Sequence, residues 1–237
     1  MTDFTNKNIL VMGGSRGIGE AIVKRFAKDG GDVTFTYAHS SDRAEQLAAE
    51  TDSKAMQSDS AERDGVIETV KQLGALDVIV VNAGVLEMGD PLELDPDAID
   101  RMIDINVRAP YHAFVEAGRQ MNENGRMIVI GSTNADRMPF PGGAAYALSK
   151  SAMKGMVQGL ARDFGERSIT VNAIQPGPVD TEMNPADGPM KDMMHGFMAI
   201  KRHARADEIA GMAAYLAGEE AGIVTGASHT IDGGFGA

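Results

Sequence analysis

The chain of 237 residues contains no cysteine. That excludes disulfide bonds, thiolate nucleophiles and cysteine-ligated zinc or iron–sulfur centres. Its five histidines occupy no metal-ligand spacing, so no metal is expected. Basic residues are in deficit. Twenty-two Lys and Arg face 34 Asp and Glu, a net charge of −12 with a pI near 4.8. An acidic surface repels phosphate backbones and anionic headgroups, so neither a DNA- or RNA-binding role nor a membrane-surface role is expected. Long apolar runs are missing too. Val78-Ile79-Val80-Val81 is typical, far short of the ~20 residues that span a bilayer. The polar stretch from Met1 to Asn8 lacks a charged-then-apolar leader pattern. The expectation is a cytoplasmic protein. What remains is ordinary globular material, 43% hydrophobic and 24% charged, enough for one sizeable core.

Strand-like and helix-like segments alternate. Residues 9–12, 33–37, 54–57, 77–81, 127–130, 169–174 and 229–231 are short β-branched or aliphatic runs, expected as strands. Helical patterning follows the first glycine-rich turn up to Gly30-Gly31. It returns at about 41–50, 62–73, 98–121, 143–165 and 206–217. Such alternation implies βαβ crossovers and a parallel sheet covered on both faces. The expected fold is therefore α/β, a single-domain, doubly wound sheet of the Rossmann type in three layers. One segment stands apart. From Pro176 to about Ile200 it carries four prolines and then Met190, Met193, Met194 and Met198, too long for an ordinary connection. A substrate loop or lid is expected at about 183–203.

The first strand runs into Gly13, Ser15, Arg16, Gly17, Ile18 and Gly19. Glycines at this strand-to-helix turn let the backbone approach a pyrophosphate, and the helix N-terminus favours its charge. An NAD site usually places an acid at the end of the second strand, on the ribose 2′-hydroxyl. Here that stretch is Tyr37-Ala38-His39-Ser40-Ser41, with no acid before Asp42. Arg16 with His39, Ser40 and Ser41 suits a 2′-phosphate instead, so NADP(H) is the expected cofactor.

Tyr146 and Lys150 are spaced i, i+4 and share one helix face. A phenol with pKa near 10 is a poor acid–base group at neutral pH. A neighbouring ammonium favours the phenolate and makes it usable. Ser132 follows a strand and can hydrogen-bond a carbonyl or alcohol oxygen. Asn106 lies inside a helical segment, where Asn is a mediocre former, so it needs a reason such as a bound water or a bulge.

With these residues assembled, the whole chain resembles the classical short-chain dehydrogenase/reductase family. The resemblance rests on the glycine spacing at Gly13, Gly17 and Gly19, an Asp-led turn at Asp59, and Asn82-Ala83-Gly84. Asn106, Ser132, the Tyr146/Lys150 pair, Pro176-Gly177 and the ending Thr230-Ile231-Asp232-Gly233-Gly234 complete it. One departure is Met12, where the family usually has a Thr that braces the loop. The resemblance implies NADP(H)-dependent hydride transfer to or from a small carbonyl-type substrate. Ser132 would hold the substrate oxygen, Tyr146 would donate the proton, and Lys150 would lower the tyrosine pKa and bind the nicotinamide ribose. Asn106 would hold a water linking Lys150 to solvent. It also implies cofactor contacts from Asp59 and Ser60 to the adenine side, and from Val179 and Thr181 to the carboxamide and phosphates. A dimer or homotetramer is expected through the 98–121 and 147–165 helices, with Phe114, Val115, Val157 and Phe164 as interface candidates. Finally, Arg137-Met138-Pro139, residues 197–203 and the Phe235-Gly236-Ala237 ending resemble a bacterial branch of the family described as binding cyclic di-GMP. That dinucleotide is the alternative expected ligand, in a signalling or biofilm-dispersal role.

Overall fold

The structure, a computed structural model, describes residues 2–237. In chain order the elements are β1 (Asn8–Met12), α1 (Gly17–Lys28), β2 (Asp32–Tyr37), α2 (Ser41–Thr51), β3 (Lys54–Gln57), α3 (Arg63–Gln72) and β4 (Val78–Val81). Then follow α4 (Pro96–Ile103), α5 (Ala109–Gln120), β5 (Arg126–Ile130), α6 (Ala144–Phe164), β6 (Thr170–Pro176), α7 (Lys191–Phe197), α8 (Ala206–Ala217) and β7 (Ser228–Ile231). All seven strands are parallel, in the order β3-β2-β1-β4-β5-β6-β7. The expected three-layer α/β fold is thus present.

Alternation within the strands divides the core. Ile9, Val11, Val33, Phe35, Val78, Val80 and Ile128 pack with α1 and α8 on one face of the sheet. Leu10, Met12, Ile79, Val81, Met127 and Val129 pack with α3, α5 and α6 on the other. A strand covered on both faces reads as a continuous apolar run, which is why the period-2 signal is faint here. The chain reverses direction across the sheet between β1 and β4, whose carboxyl ends open the crevice where open α/β sheets bind ligands.

The expected 98–121 helix is divided. Asp95 Oδ1 accepts a hydrogen bond from Asp97 N at 3.1 Å and Pro96 opens α4, a favourable N-terminal pairing. Between α4 and α5 lies a π turn at Asp104–Arg108, closed by Ala109 N bonding Asp104 O. Pro110 has no N–H to offer the Asn106 carbonyl, so the regular ladder is interrupted there. The bulge considered for Asn106 is real.

The interface candidates need correction. Phe114 and Val157 are fully buried within one subunit, and the Phe164 ring fills the space over Gly118. Apolar side chains facing outward on α5 and α6 are Tyr111 and Leu148. The Met-rich segment contains the short helix α7. Met183, Met190 and Met193 are exposed while Met198 is buried. No helix among the described residues is long and apolar enough to cross a membrane.

Candidate active site

A cleft of about 310 Å³ opens at the carboxyl ends of β1, β2, β4 and β5. The glycine loop forms one wall. Gly13 has φ +75°, and a Cβ there would lie 2.7 Å from Ala83 N and Cα. Gly19 sits so tightly that a Cβ would meet Gly13 O at 2.1 Å. Asn82 Nδ2 donates to Gly13 O at 2.8 Å, so this amide holds the loop from β4. The bracing hydroxyl that Met12 lacks comes from β2: Thr36 Oγ1 accepts from Gly13 N at 3.0 Å.

Gly13, Ser15, Arg16, Gly17, Ile18, Ala38, His39, Asp59, Ser60, Asn82, Ala83, Gly84, Tyr146, Lys150 and Thr181 all line the cleft. Other predicted site residues stand off its lining. Gly19 acts through the loop's packing. Ser40 and Ser41 sit exposed at the α2 N-terminus, next in the chain to His39. Asp42 lies in the first turn of α2, away from the lining. Pro176 pairs with Ile231 across β6 and β7, and Gly177 packs against Asp232. Val179 is buried and bridges Ala204 rather than facing the cleft. Ser132 and Asn106 are off the lining but bond residues on it, Ser132 to Tyr146 and Asn106 to Val85.

At the inner end, Lys150 is 6% exposed, its ammonium 5.8 Å from the centre of the Tyr146 ring. Lys150 Nζ donates to Ile130 O at 3.2 Å. Burial lowers the Lys150 pKa from 10.5 to about 8, because desolvation disfavours the charged form. It remains mostly protonated at pH 7. Burial raises the Tyr146 pKa, and the hydrogen bond with Ser132 pulls it the other way without reversing the direction. The net direction in the unliganded chain is therefore upward. Desolvation wins, and Tyr146 keeps its proton at neutral pH.

Asn106 is 2% exposed and its side chain is fully engaged. Its Oδ1 accepts from Val85 N at 2.9 Å, while its Nδ2 donates to Val85 O at 2.9 Å and Ser149 Oγ at 3.0 Å. Ser149 Oγ in turn donates to Tyr146 O at 2.8 Å. The side-chain amide ties the segment after Gly84 to the first turn of α6. A Cβ at Gly84 would lie 3.3 Å from both Asn106 Oδ1 and Lys150 Nζ, so a side chain there would crowd the ammonium and the amide.

Three contributors escaped sequence reading: Thr36, Ser149 and Arg101. Arg101 Nη2 donates to Asp59 Oδ2 at 3.2 Å and lines the cleft. Burial raises the Asp59 pKa, but the Ala61 N–H and Arg101 outweigh it and the net shift is downward. The two residues are 42 positions apart, and no local pattern links them.

A family model described as Enoyl-(Acyl carrier protein) reductase matches residues 13–236. The chain belongs to the short-chain dehydrogenase/reductase family. Within it, the cyclic-di-GMP-binding biofilm dispersal mediator protein of Escherichia coli (strain K12) is 62% identical over 237 residues, covering 100% of both chains. A 3-oxoacyl-(acyl-carrier-protein) reductase of Staphylococcus epidermidis is 33% identical over 97% of this chain and 98% of its own. A crystal structure of BdcA in complex with NADPH superposes with a TM-score of 0.98 at 62% identity, covering 99% of this chain and 96% of that one. In this short-chain dehydrogenase/reductase the described residues contain no cluster of three metal-ligating side chains.

Proposed function

We propose that the protein is an NADPH-dependent reductase of a carbonyl-type substrate. The observation that carries the reading is a single cleft with a glycine-lined helix N-terminus at one end and the buried Tyr146/Lys150 pair at the other. The cleft suits the cofactor. Gly13 and Gly17 hold positive φ and leave space that a side chain would fill, a form that lets backbone approach phosphate. Exposed Arg16 and His39 border it where an acid would repel a 2′-phosphate. The NADPH-bound neighbour supports the same choice.

Gly13, Ser15, Gly17 and Ile18 would hold the pyrophosphate, Arg16 and His39 the 2′-phosphate, and Asp59 with Arg101 the adenine end. Lys150 would hold the nicotinamide ribose. When bound, NADPH supplies the hydride that makes the reaction a reduction. The chain supplies orientation and a proton. Ser132 holds the carbonyl oxygen next to the Tyr146 hydroxyl, and Tyr146, protonated at neutral pH, delivers its proton there. The Lys150 ammonium stabilises the phenolate left behind. Asn106 acts through Val85 and Ser149 by fixing where Tyr146 stands. The 183–203 segment, beginning at the cleft with Met183, closes over the substrate as a lid. We place the enzyme in the cytoplasm as a dimer or tetramer.

A second reading, binding of cyclic di-GMP in the same cleft, is supported by the printed name of the 62% identical relative. Arg16 and Arg101 are cations on that lining. The test is loss of NADPH absorbance over a panel of ketones, aldehydes and imines, with NADPH binding and cyclic di-GMP displacement measured alongside. Turnover supports the reductase. NADPH binding with no turnover on any of the panel, and displacement by cyclic di-GMP, favours the signalling reading.

A further inference from the structure

Ser132 follows β5 in an extended conformation and leads into a single 3-10 turn at Thr133–Ala135. Its Oγ accepts Asn134 N at 3.1 Å, a bond within the turn itself. Something else must fix the turn against the body. Thr133 is 3% exposed, and its Oγ1 donates to Asp232 Oδ2 at 3.0 Å in a buried contact. Asp232 is 8% exposed and also accepts Gly234 N at 2.8 Å on Oδ1 and Gly236 N at 2.7 Å on Oδ2. All three donors are neutral.

The turn round this carboxylate is built for the purpose. Gly233 and Gly234 have φ of +63° and +79°, conformations that favour glycine. The same stretch packs on the lid. Gly233 O accepts Ile200 N at 2.8 Å, and the Phe235 ring meets Phe197 of α7 edge-on with centroids 5.8 Å apart. Arg137, just beyond the Ser132 turn, donates to Phe235 O at 2.8 Å and Ala237 O at 2.7 Å.

We propose that Thr133 and Asp232 are positioning residues that hold the Ser132 hydroxyl beside Tyr146, through a C-terminal turn that also seats the lid segment. The inference rests on the reductase reading for Ser132 and Tyr146. A misplacement of reacting groups by ~1 Å can lower rates a hundredfold, so one lost bond here is read in kcat.

The test uses the full-length protein with its best carbonyl substrate. Thr133→Val keeps shape and removes the donor, and Thr133→Ser restores it. Expected is an about tenfold fall in kcat for Thr133→Val, an unchanged NADPH dissociation constant, and recovery to within about threefold in Thr133→Ser. Asp232→Asn should lower kcat in the same direction. In a Ser132→Ala background, Thr133→Val should change kcat by less than about twofold, since residues acting through one another are non-additive. The proposal is overturned if Thr133→Val turns over like wild type, or if its kcat loss is equally large without the Ser132 hydroxyl. If Ser132→Ala alone leaves turnover intact, the role given to Ser132 fails, and this inference fails with it. If Ser132→Ala abolishes most turnover while Thr133→Val does not, only this inference fails.

Discussion

Replacing Lys150 with Met should make the protein more stable while removing its activity. The ammonium is almost completely enclosed, and its pKa falls from 10.5 to about 8 because the charged form is desolvated. At ~1.4 kcal/mol per tenfold change in proton affinity, that amounts to about 3 kcal/mol against the folded state. Met is similar in length and removes the charge. It also removes the hydrogen bond to Ile130 O, worth about 1 kcal/mol. The net expectation is a gain of about 2 kcal/mol at pH 7, or ~4–8 °C in Tm for a domain of this size. The pH dependence identifies the cause. Below pH 8 the lysine is protonated in both states and the whole penalty is present. Between about 8 and 10.5 the folded state sheds its proton first, and the penalty fades as pH rises. Urea unfolding of wild type and Lys150→Met at pH 7 and pH 9.5 should show the gain shrink to under ~1 kcal/mol at the higher pH. A variant less stable than wild type at pH 7, or a difference that does not change with pH, would refute the reasoning.

Other expectations follow from the cleft. Gly13→Ala forces a side chain at φ +75° into Ala83 backbone at 2.7 Å; it should lower stability by more than ~2 kcal/mol in urea unfolding and abolish NADPH binding by fluorescence titration. Arg16→Ala should raise the NADPH dissociation constant by roughly 10- to 100-fold and leave that for NADH within about twofold, since only the former carries the extra phosphate. The kcat/KM for NADPH should fall as pH rises through about 8, where Lys150 of the free enzyme loses its proton, while Tyr146 stays protonated. A profile flat to pH 9.5 would remove Lys150's charge from the mechanism.

Much of the fold was legible because the strands are short aliphatic runs set off by glycines, as at Val78–Val81 before Asn82-Ala83-Gly84. The glycine loop and the Tyr146/Lys150 pair were legible because local spacing carries their geometry. The interior Asn106 signalled a bulge by its poor helix propensity, and the structure has a π turn at Asp104–Arg108. Its partners were not legible, since Val85 and Ser149 meet it only through tertiary packing. Arg101 beside Asp59 was hidden for the same reason. The tyrosine's upward shift was missed because spacing shows that a lysine is near but not how much water both groups have lost. Phe114 and Val157 misled because an apolar helix face does not say whether its own sheet or another copy covers it. The bounds of helix α7 were not legible, because the prolines, glycines and methionines of that segment give no steady period.

The central claim is that Tyr146 supplies a proton while hydride passes from cofactor to a carbonyl carbon. The most direct test is reduction of a responsive ketone with NADPH dideuterated at nicotinamide C4, followed by mass spectrometry of the alcohol from wild type and Tyr146→Phe. The account predicts deuterium on the carbinol carbon from wild type, and a rate lower by roughly 10²- to 10⁴-fold in Tyr146→Phe at unchanged NADPH affinity. Alcohol without deuterium, or equal rates from both proteins, would contradict it.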